Sequence, residues 1–451
     1  MTQYPLMPMR SAKSDLGALP EKASRPVTVA RDSGQSDPLA WMALIVLAFA
    51  ALALFGIDAV AIPIFDEVHY LPAARLWIDG TGLLNPEHPV LGKQLIAVSM
   101  IVFGDNPFGW RAGSALFACL TLLAMMRMTW LATRSRFAAL TAGVLAATNF
   151  LLLVQARIAM LDTAMLALLM LGCWSLVAAV ATRRHVRLRT MLAGVLFGMS
   201  FAVKWNAAPV IAFAGLCIFA GNLRARYGNG RRPLGSMSIF ETFGWLALLP
   251  LAVYFASFQT IALLADPPAR FTGPIEWQRY MLELQESVIK THGYMSNWWD
   301  WVIDRRPIWY FYEEYEGVWR GMLFLGNPLQ MWSGLAALIA CGWLGLAKGR
   351  MDCLAVTGAW IASLAMWIVA PKPVQFYYHY LICAQFIAIA LALALDAAVW
   401  RRPFRRIGRG WAIAFLIANG LLFAYFYPIL TTMPLPSKIS FADYAWLESW
   451  R

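Results

Sequence analysis

The chain has 451 residues, 60% of them hydrophobic and only 14% charged, with a mean hydropathy of +0.58. Soluble domains carry about 25% charged residues, so a water-soluble globule is excluded. The net charge of +12 and the pI near 9.6 would suit nucleic acid in a soluble protein. Here the positive charge lies in short segments between apolar runs, where membrane topology accounts for it, and nucleic acid is excluded as a partner.

In chain order, residues 1–38 are polar and contain Ser and Pro. They are too long and uneven for the start of a cleavable signal peptide and predict a disordered tail. Eleven apolar runs follow, near 39–57, 109–130, 137–154, 163–182, 190–203, 206–221, 240–262, 328–347, 352–370, 379–399 and 410–430. Runs of about 20 apolar residues predict membrane spans. Runs five and six are short and are divided at Lys204-Trp205-Asn206. The cysteines, Cys119, Cys173, Cys217, Cys341, Cys353 and Cys383, all sit in or beside these runs without C-x-x-C spacing. They are expected to be small buried hydrophobes. No internal repeat and no separate soluble domain is visible.

With the N-terminal tail in the cytoplasm, the segments on that side are the tail, 127–136, 183–189, 222–236, 348–351 and 400–409. Together they hold 23 of the 37 Lys and Arg residues. Short basic loops mark the cytoplasmic side, where anionic headgroups add attraction. The predicted domains are a tail over 1–38, a transmembrane domain over 39–430 and an outer C-terminal tail over 431–451. The two long loops, 58–108 and 263–327, then lie outside and carry most of the acids. Trp277, Met281, Leu284 and Val288 predict an amphipathic surface helix; a second short helix is expected over Leu91–Phe103.

Candidate chemistry gathers on this outer side. Asp66 and Glu67 are adjacent carboxylates just after the first run. Like charges at an apolar interface push one pKa up, which makes a proton acceptor; the plainer reading is a pair of solvated loop acids. Arg111, Arg157, Asp162, Lys204, Lys372 and His379 are ionisable groups at span edges, where charge is costly and is either paired or functional. Arg157 and Asp162 could simply pair with each other, Arg111 could reach headgroups, and His379 could be a hydrogen-bonded structural residue. A metal would use His69 and His88 with Asp66 or Glu67, but their spacing is not that of a metal motif. Cations and carboxylates together suit a substrate with a lipid tail, an interfacial phosphate and an outer sugar. Arg and Lys would stabilise a departing phosphate, and a carboxylate would serve as base for an acceptor hydroxyl. No metal or other cofactor is obligatory for that reaction.

Several segments, in order, resemble the protein O-mannosyltransferase family of the GT-C class. They are Phe65-Asp66-Glu67-Val68-His69, Glu87-His88-Pro89-Val90-Leu91-Gly92-Lys93, Phe108-Gly109-Trp110-Arg111, the stretch from Gln155-Ala156-Arg157 to Leu161-Asp162, and Ser200-Phe201-Ala202-Val203-Lys204-Trp205. Ser296-Asn297-Trp298-Trp299, Arg306-Pro307-Ile308-Trp309-Tyr310, Leu325-Gly326-Asn327-Pro328 and Tyr377-Tyr378-His379-Tyr380 continue the series. The resemblance implies an all-α polytopic GT-C fold in a bacterial inner membrane, with the active site on the periplasmic face. It implies a polyprenyl-phosphate mannose donor and inverting transfer to Ser/Thr hydroxyls of exported proteins.

By the same resemblance, Asp66 is the base and Glu67 orients acceptor or sugar. Arg111, Lys204 and Arg157 face the donor phosphate. His69, His88, Lys93, Asp162, Trp298, Trp299 and His379 shape the substrate site. Val90 stands where the family more often has a second proline. The 65-residue loop 263–327 leaves no room for the β-trefoil domain of eukaryotic members, which implies a compact bacterial form. One rival is a sister GT-C enzyme acting on lipid A or another glycan. Another is a transporter or flippase, against which the absence of inverted repeats counts; the last is a non-catalytic scaffold.

Overall fold

The computed structural model describes residues 35–228, 231–287, 292–370, 372–400 and 405–451. Most of the expected tail (residues 1–34), Val288 of the amphipathic helix, and Arg401, Arg402, Pro403 and Phe404 lie outside the described residues.

The elements run α1 (Leu39–Leu54), α2 (Glu67–Asp79), α3 (Leu91–Phe103), α4 (Pro107–Thr133), α5 (Arg136–Ala147), α6 (Phe150–Ala156), α7 (Asp162–Thr182) and α8 (Val186–Val203). After the turn Trp205–Ala207 come α9 (Ala208–Tyr227), α10 (Ile239–Phe243), α11 (Leu249–Phe258), α12 (Pro274–Ser287) and α13 (Trp298–Val302). The antiparallel pair β1 (Ile308–Tyr315) and β2 (Val318–Phe324) is followed by α14 (Pro328–Lys348), α15 (Met351–Val369), a turn Tyr377–Tyr380, α16 (Leu381–Trp400), α17 (Arg405–Leu430) and α18 (Phe441–Tyr444).

Every apolar run is helical. Among the described residues nine helical stretches are long and apolar enough to cross a membrane, and the bent pair α5–α6 makes a tenth. The eleventh run, α1, has 16 residues, about 24 Å of helix. The shares of each span's apolar window buried in protein are 78% for α16, 67% for α7 and 56% for α4, against 28% for α9, α15 and α17. The first three therefore form the bundle's interior, and the others face lipid.

The run predicted as one helix over 137–154 bends by 60° at Thr148-Asn149. Asn149 caps α6 through Leu152 N–H at 3.2 Å and donates to Gln330 at 3.1 Å. Gln330 donates to Leu145 O and to Asn419, both at 2.9 Å. Asn327 donates to Thr148 O and Asn419 at 3.1 Å. A break inside a membrane persists only where neighbours satisfy its backbone groups, and α14 and α17 do so here.

The α4–α5 turn packs on the start of the described chain. Arg127 reaches Asp37 at 2.5 Å, and Arg136 donates to Ser36 O at 2.8 Å. Residues 35–37 therefore share an end with the α4–α5 turn.

At the other end, α2 and α3 form the first loop; α3 has the predicted bounds. Trp277 and Met281 of α12, expected on the apolar face of a membrane-surface helix, are buried in protein in a cluster with Tyr254 and Phe258. The hairpin β1–β2 was not expected. Its turn places Glu316 (φ 52°) and Gly317 (φ 77°) in the left-handed region, as two-residue hairpin turns require. The segment after α17 straps it: Leu435 N–H donates to Trp319 O at 2.8 Å, Tyr312 OH to Lys438 O at 2.8 Å, and Trp309 Nε1 to Trp450 O at 3.0 Å.

Candidate active site

The chain leaves α1 and crosses one end of the bundle through Ile64 and Phe65 into α2. Phe65 has φ 51°, a conformation that is strained for an aromatic residue. It is held by stacking on Tyr310 of β1, with centroids 4.2 Å apart, and by the edge of Tyr378 at 6.4 Å. Tyr310 is fixed in turn by Gln155, which donates to its hydroxyl at 3.0 Å, and by stacking on Phe324.

This bend sends the two carboxylates to different places. Glu67 is fully buried. Its Oε1 accepts from Arg111 Nε and Ala159 N–H, and its Oε2 from Arg111 Nη2 and Ile64 N–H, all at 2.8 Å. The other Arg111 donors go to Ile57 O at 2.9 Å, Val60 O at 2.8 Å and Ile62 O at 3.0 Å. A guanidinium has five N–H donors, and all five are taken. Glu67 and Arg111, expected at the acceptor and the donor phosphate, instead fasten the turn after α1 to α4.

Asp66, the residue before α2, accepts no side-chain or backbone hydrogen bond to its carboxylate among the described residues. Burial holds its pKa above the ordinary 3.8; Lys204 and His69 oppose this, and Asp162 adds to it. Glu67, the expected source of repulsion, is instead paired with Arg111.

Lys204 lies in the extended break after α8 and donates to both oxygens of Asp162 at 2.9 Å. Its ammonium stands 4.7 Å from the centre of the Tyr378 ring. Arg157 does not pair with Asp162. It is spent on Ala53 O at 2.7 Å, Phe55 O at 2.8 Å, and Gly56 O and Thr431 O at 2.9 Å. It ties the end of α1 to the end of α17, and no Nη is left for a donor phosphate.

Lys93 is also structural: buried, it donates to Asn85 O at 2.6 Å and His88 O at 2.9 Å, and so shapes the turn ahead of α3. Burial lowers its pKa to about 7. His88 rests near Tyr70, and burial with Lys204 and Lys372 keeps its ring neutral, well below the usual imidazole range. His69 is exposed one turn along α2. His379 lies flat on Trp367, with centroids 3.8 Å apart. Its Nδ1 is 3.4 Å from the Asn206 amide nitrogen, and its Nε2 is buried without a partner.

Of the tryptophans on α13, Trp301 meets His379 edge-on at 5.9 Å. Trp298 and Trp299 pack against each other at 5.5 Å, and Trp299 is exposed. Tyr70, His292, Tyr310, Tyr378 and Lys372 also gather near Asp66. Tyr70, Tyr310, Tyr378 and Lys372 lie inside or beside segments that stood out in the sequence; nothing marked His292. Among the described residues no group of three or more His, Cys, Asp or Glu could hold a metal.

The geometry amounts to one carboxylate, unpaired among the described residues, beside aromatic rings and cations at one end of a helical bundle. Residues 40–263 match the family described as dolichyl-phosphate-mannose-protein mannosyltransferase. Residues 271–450 match the C-terminal four TMM region of protein-O-mannosyltransferase. The polyprenol-phosphate-mannose--protein mannosyltransferase of Corynebacterium glutamicum is 27% identical over 92% of this chain and 94% of its own length. That of Mycobacterium tuberculosis is 25% identical over 86% and 87%. The S. cerevisiae protein O-mannosyltransferase Pmt1-Pmt2 complex bound to the sugar donor superimposes with a TM-score of 0.78 at 15% identity, covering 93% of both chains. ArnT from Cupriavidus metallidurans in the apo state superimposes at 0.54 and 13% identity, covering 92% of this chain and 76% of its own. These two structures share the GT-C fold. With two family matches spanning nearly its whole length in order, the chain belongs to the protein O-mannosyltransferase family of GT-C membrane glycosyltransferases.

Proposed function

We propose that the chain transfers mannose from a polyprenyl-phosphate donor to Ser/Thr hydroxyls of exported proteins, with inversion, at the periplasmic face of a bacterial inner membrane. In this reading residues 1–38 form a cytoplasmic tail, 39–430 the catalytic membrane domain and 431–451 an outer segment. The contrast between Asp66 and Glu67 carries the mechanism. Asp66 is the carboxylate with free lone pairs, and its raised pKa makes it a stronger base than a solvated Asp. The acceptor hydroxyl attacks the sugar C1, its proton passes to Asp66, and the C1–O bond to phosphate breaks. The lipid phosphate departs with the bonding electron pair. Its existing charge makes it a good leaving group, so positioned cations suffice to stabilise it. Glu67, Arg111 and Arg157 are positioning residues that hold the Phe65–Asp66 bend. The Lys204–Asp162 pair lies within electrostatic reach of Asp66, and Trp301 packs edge-on to His379.

The test is a transfer assay with labelled polyprenyl-phosphate mannose, membranes containing the protein and periplasmic extract. Label in protein, released by β-elimination and absent with Asp66→Asn, supports the reading. Label in lipid or polysaccharide moves the acceptor to a glycan or lipid A. No transfer by the wild type overturns the mannose donor.

A further inference from the structure

We propose that Lys372, in the loop between α15 and the Tyr377–Tyr380 turn, is the cation that meets the phosphate of the lipid-linked donor and of the lipid product. The inference rests on the reading of Asp66 as base and deepens it at the other end of the scissile bond.

The argument begins with what the other cations are doing. All five donors of Arg111 are taken by Glu67 and three carbonyls. Both terminal nitrogens of Arg157 are taken by carbonyls, and its Nε is enclosed in protein. Lys93 is buried on two carbonyls. Lys204 is matched by both oxygens of Asp162. Each has its charge neutralised or its N–H groups spent, and a phosphate would have to break those bonds to be held.

Lys372 differs from all of them. It is half-buried, and among the described residues its ammonium makes no hydrogen bond and no ion pair. It lies within electrostatic reach of Asp66, Glu87 and Lys204, and of His88 and His379. Its backbone is anchored: Gln375 donates to Lys372 O at 3.3 Å, and Ser296 N–H donates to Gln375 O at 3.0 Å. Beside it, the Asn206 amide nitrogen lies 3.4 Å from His379 Nδ1, and the ring's Nε2 is buried without a partner among the described residues. An unspent ammonium therefore lies within electrostatic reach of the free carboxylate.

The chemistry asks for this arrangement. The donor is a phosphodiester with one negative charge, and the product is a monoester with nearly two. A cation at that oxygen binds the transition state and product more tightly than the donor, which is what lowers the barrier.

The experiment uses the full-length protein in lipid nanodiscs. It measures equilibrium binding of polyprenyl phosphate, and transfer kinetics from labelled polyprenyl-phosphate mannose. Lys372→Gln is expected to weaken polyprenyl-phosphate binding about 10- to 100-fold, as loss of one charge-assisted hydrogen bond does. Lys372→Arg is expected to restore most of it. Lys372→Met is tested in parallel, so that a folded neutral variant is available. Asp66→Asn is expected to bind polyprenyl phosphate at least as tightly as the wild type while failing to turn over. Wild-type binding and turnover in a folded neutral variant at 372 would overturn the proposal. Full turnover in Asp66→Asn would instead remove the base and leave the Lys372 binding result to be judged alone.

Discussion

Asp66 and Glu67 are adjacent in sequence and opposite in bonding: Glu67 accepts four hydrogen bonds at 2.8 Å, two of them from Arg111, while the Asp66 carboxylate accepts none among the described residues. The chain bends at Phe65, φ 51°, just before them; Glu67 is turned into the bundle, and Asp66 lies within reach of Lys204, His69 and Asp162.

That division predicts different failures for two conservative substitutions. Asp66→Asn removes the base without touching a fastening and should lower kcat by about 10²- to 10⁴-fold with an unchanged Tm. Glu67→Gln keeps the shape but leaves Arg111 without its counter-charge, and should lower Tm first. Parallel transfer assays and thermal melts read both. A large Tm loss in Asp66→Asn, or none in Glu67→Gln, would reverse the assignment.

Arg111 supplies the second prediction. Removing one partner of a buried ion pair costs about 3–5 kcal/mol, so Arg111→Ala should destabilise the protein by that order. Arg111→Lys should recover little, because three ammonium protons cannot replace a five-donor fork that reaches Glu67, Ile57 O, Val60 O and Ile62 O at once. Chemical denaturation in detergent measures both. Near wild-type stability with lost activity would return Arg111 to the donor phosphate.

The third prediction is a pH profile. Asp66 must be ionised to accept a proton, and burial holds its pKa above the ordinary carboxylate value. Activity therefore rises with pH through a raised acid limb. Lys372 must be protonated to meet phosphate; burial and Lys204 lower its pKa to about 8, against Glu87 and Asp66. His88 and His379 also face it. Activity should fall as pH passes about 8, giving a bell in kcat/KM. Lys372→Arg should move the alkaline limb upward, since a guanidinium stays charged. An alkaline limb at the same pH in that variant would detach Lys372 from it.

Much of this was legible beforehand. The eleven apolar runs became helices because a span's hydrophobicity is a local property of the chain. Asp66 and Lys204 stood out as charges at span edges for the same reason. What was not legible was allocation. Glu67 and Arg111 are 44 residues apart, and only the packed bundle decides that Arg111 belongs to Glu67 while Arg157 belongs to the carbonyls after α1. The hairpin was missed although its signals were present, with β-forming Ile308, Trp309 and Tyr310 leading to a Glu316-Gly317 turn. The α5–α6 bend depends on Gln330 and Asn419, which lie far along the chain.

The last prediction concerns Asp304, at the foot of the hairpin. It is fully buried. Its Oδ1 accepts from Tyr377 OH at 2.6 Å and Gly326 N–H at 3.0 Å, and its carbonyl accepts from the Trp450 indole at 2.7 Å. Its Oδ2 is enclosed without a partner. A side chain at Gly326 would put Cβ 2.6 Å from Tyr377 OH and 2.9 Å from Asp304 Oδ1, so the glycine keeps this site closed to anything larger. Burial pushes the carboxyl from 3.8 up to about 7. Between those values the unfolded chain is ionised while the folded chain keeps its proton. The folded state binds more protons, so this contribution is fully present below about 4 and is lost as pH rises through about 7. Asp304→Asn mimics the protonated acid and places an amide at the orphan position. It should stabilise the protein little at pH 5 and clearly at pH 8. Melts of wild type and variant at the two pH values give the difference directly. A difference that does not grow between pH 5 and pH 8 would mean that Asp304 is ionised in the folded protein, with Tyr377 and Gly326 compensating its charge.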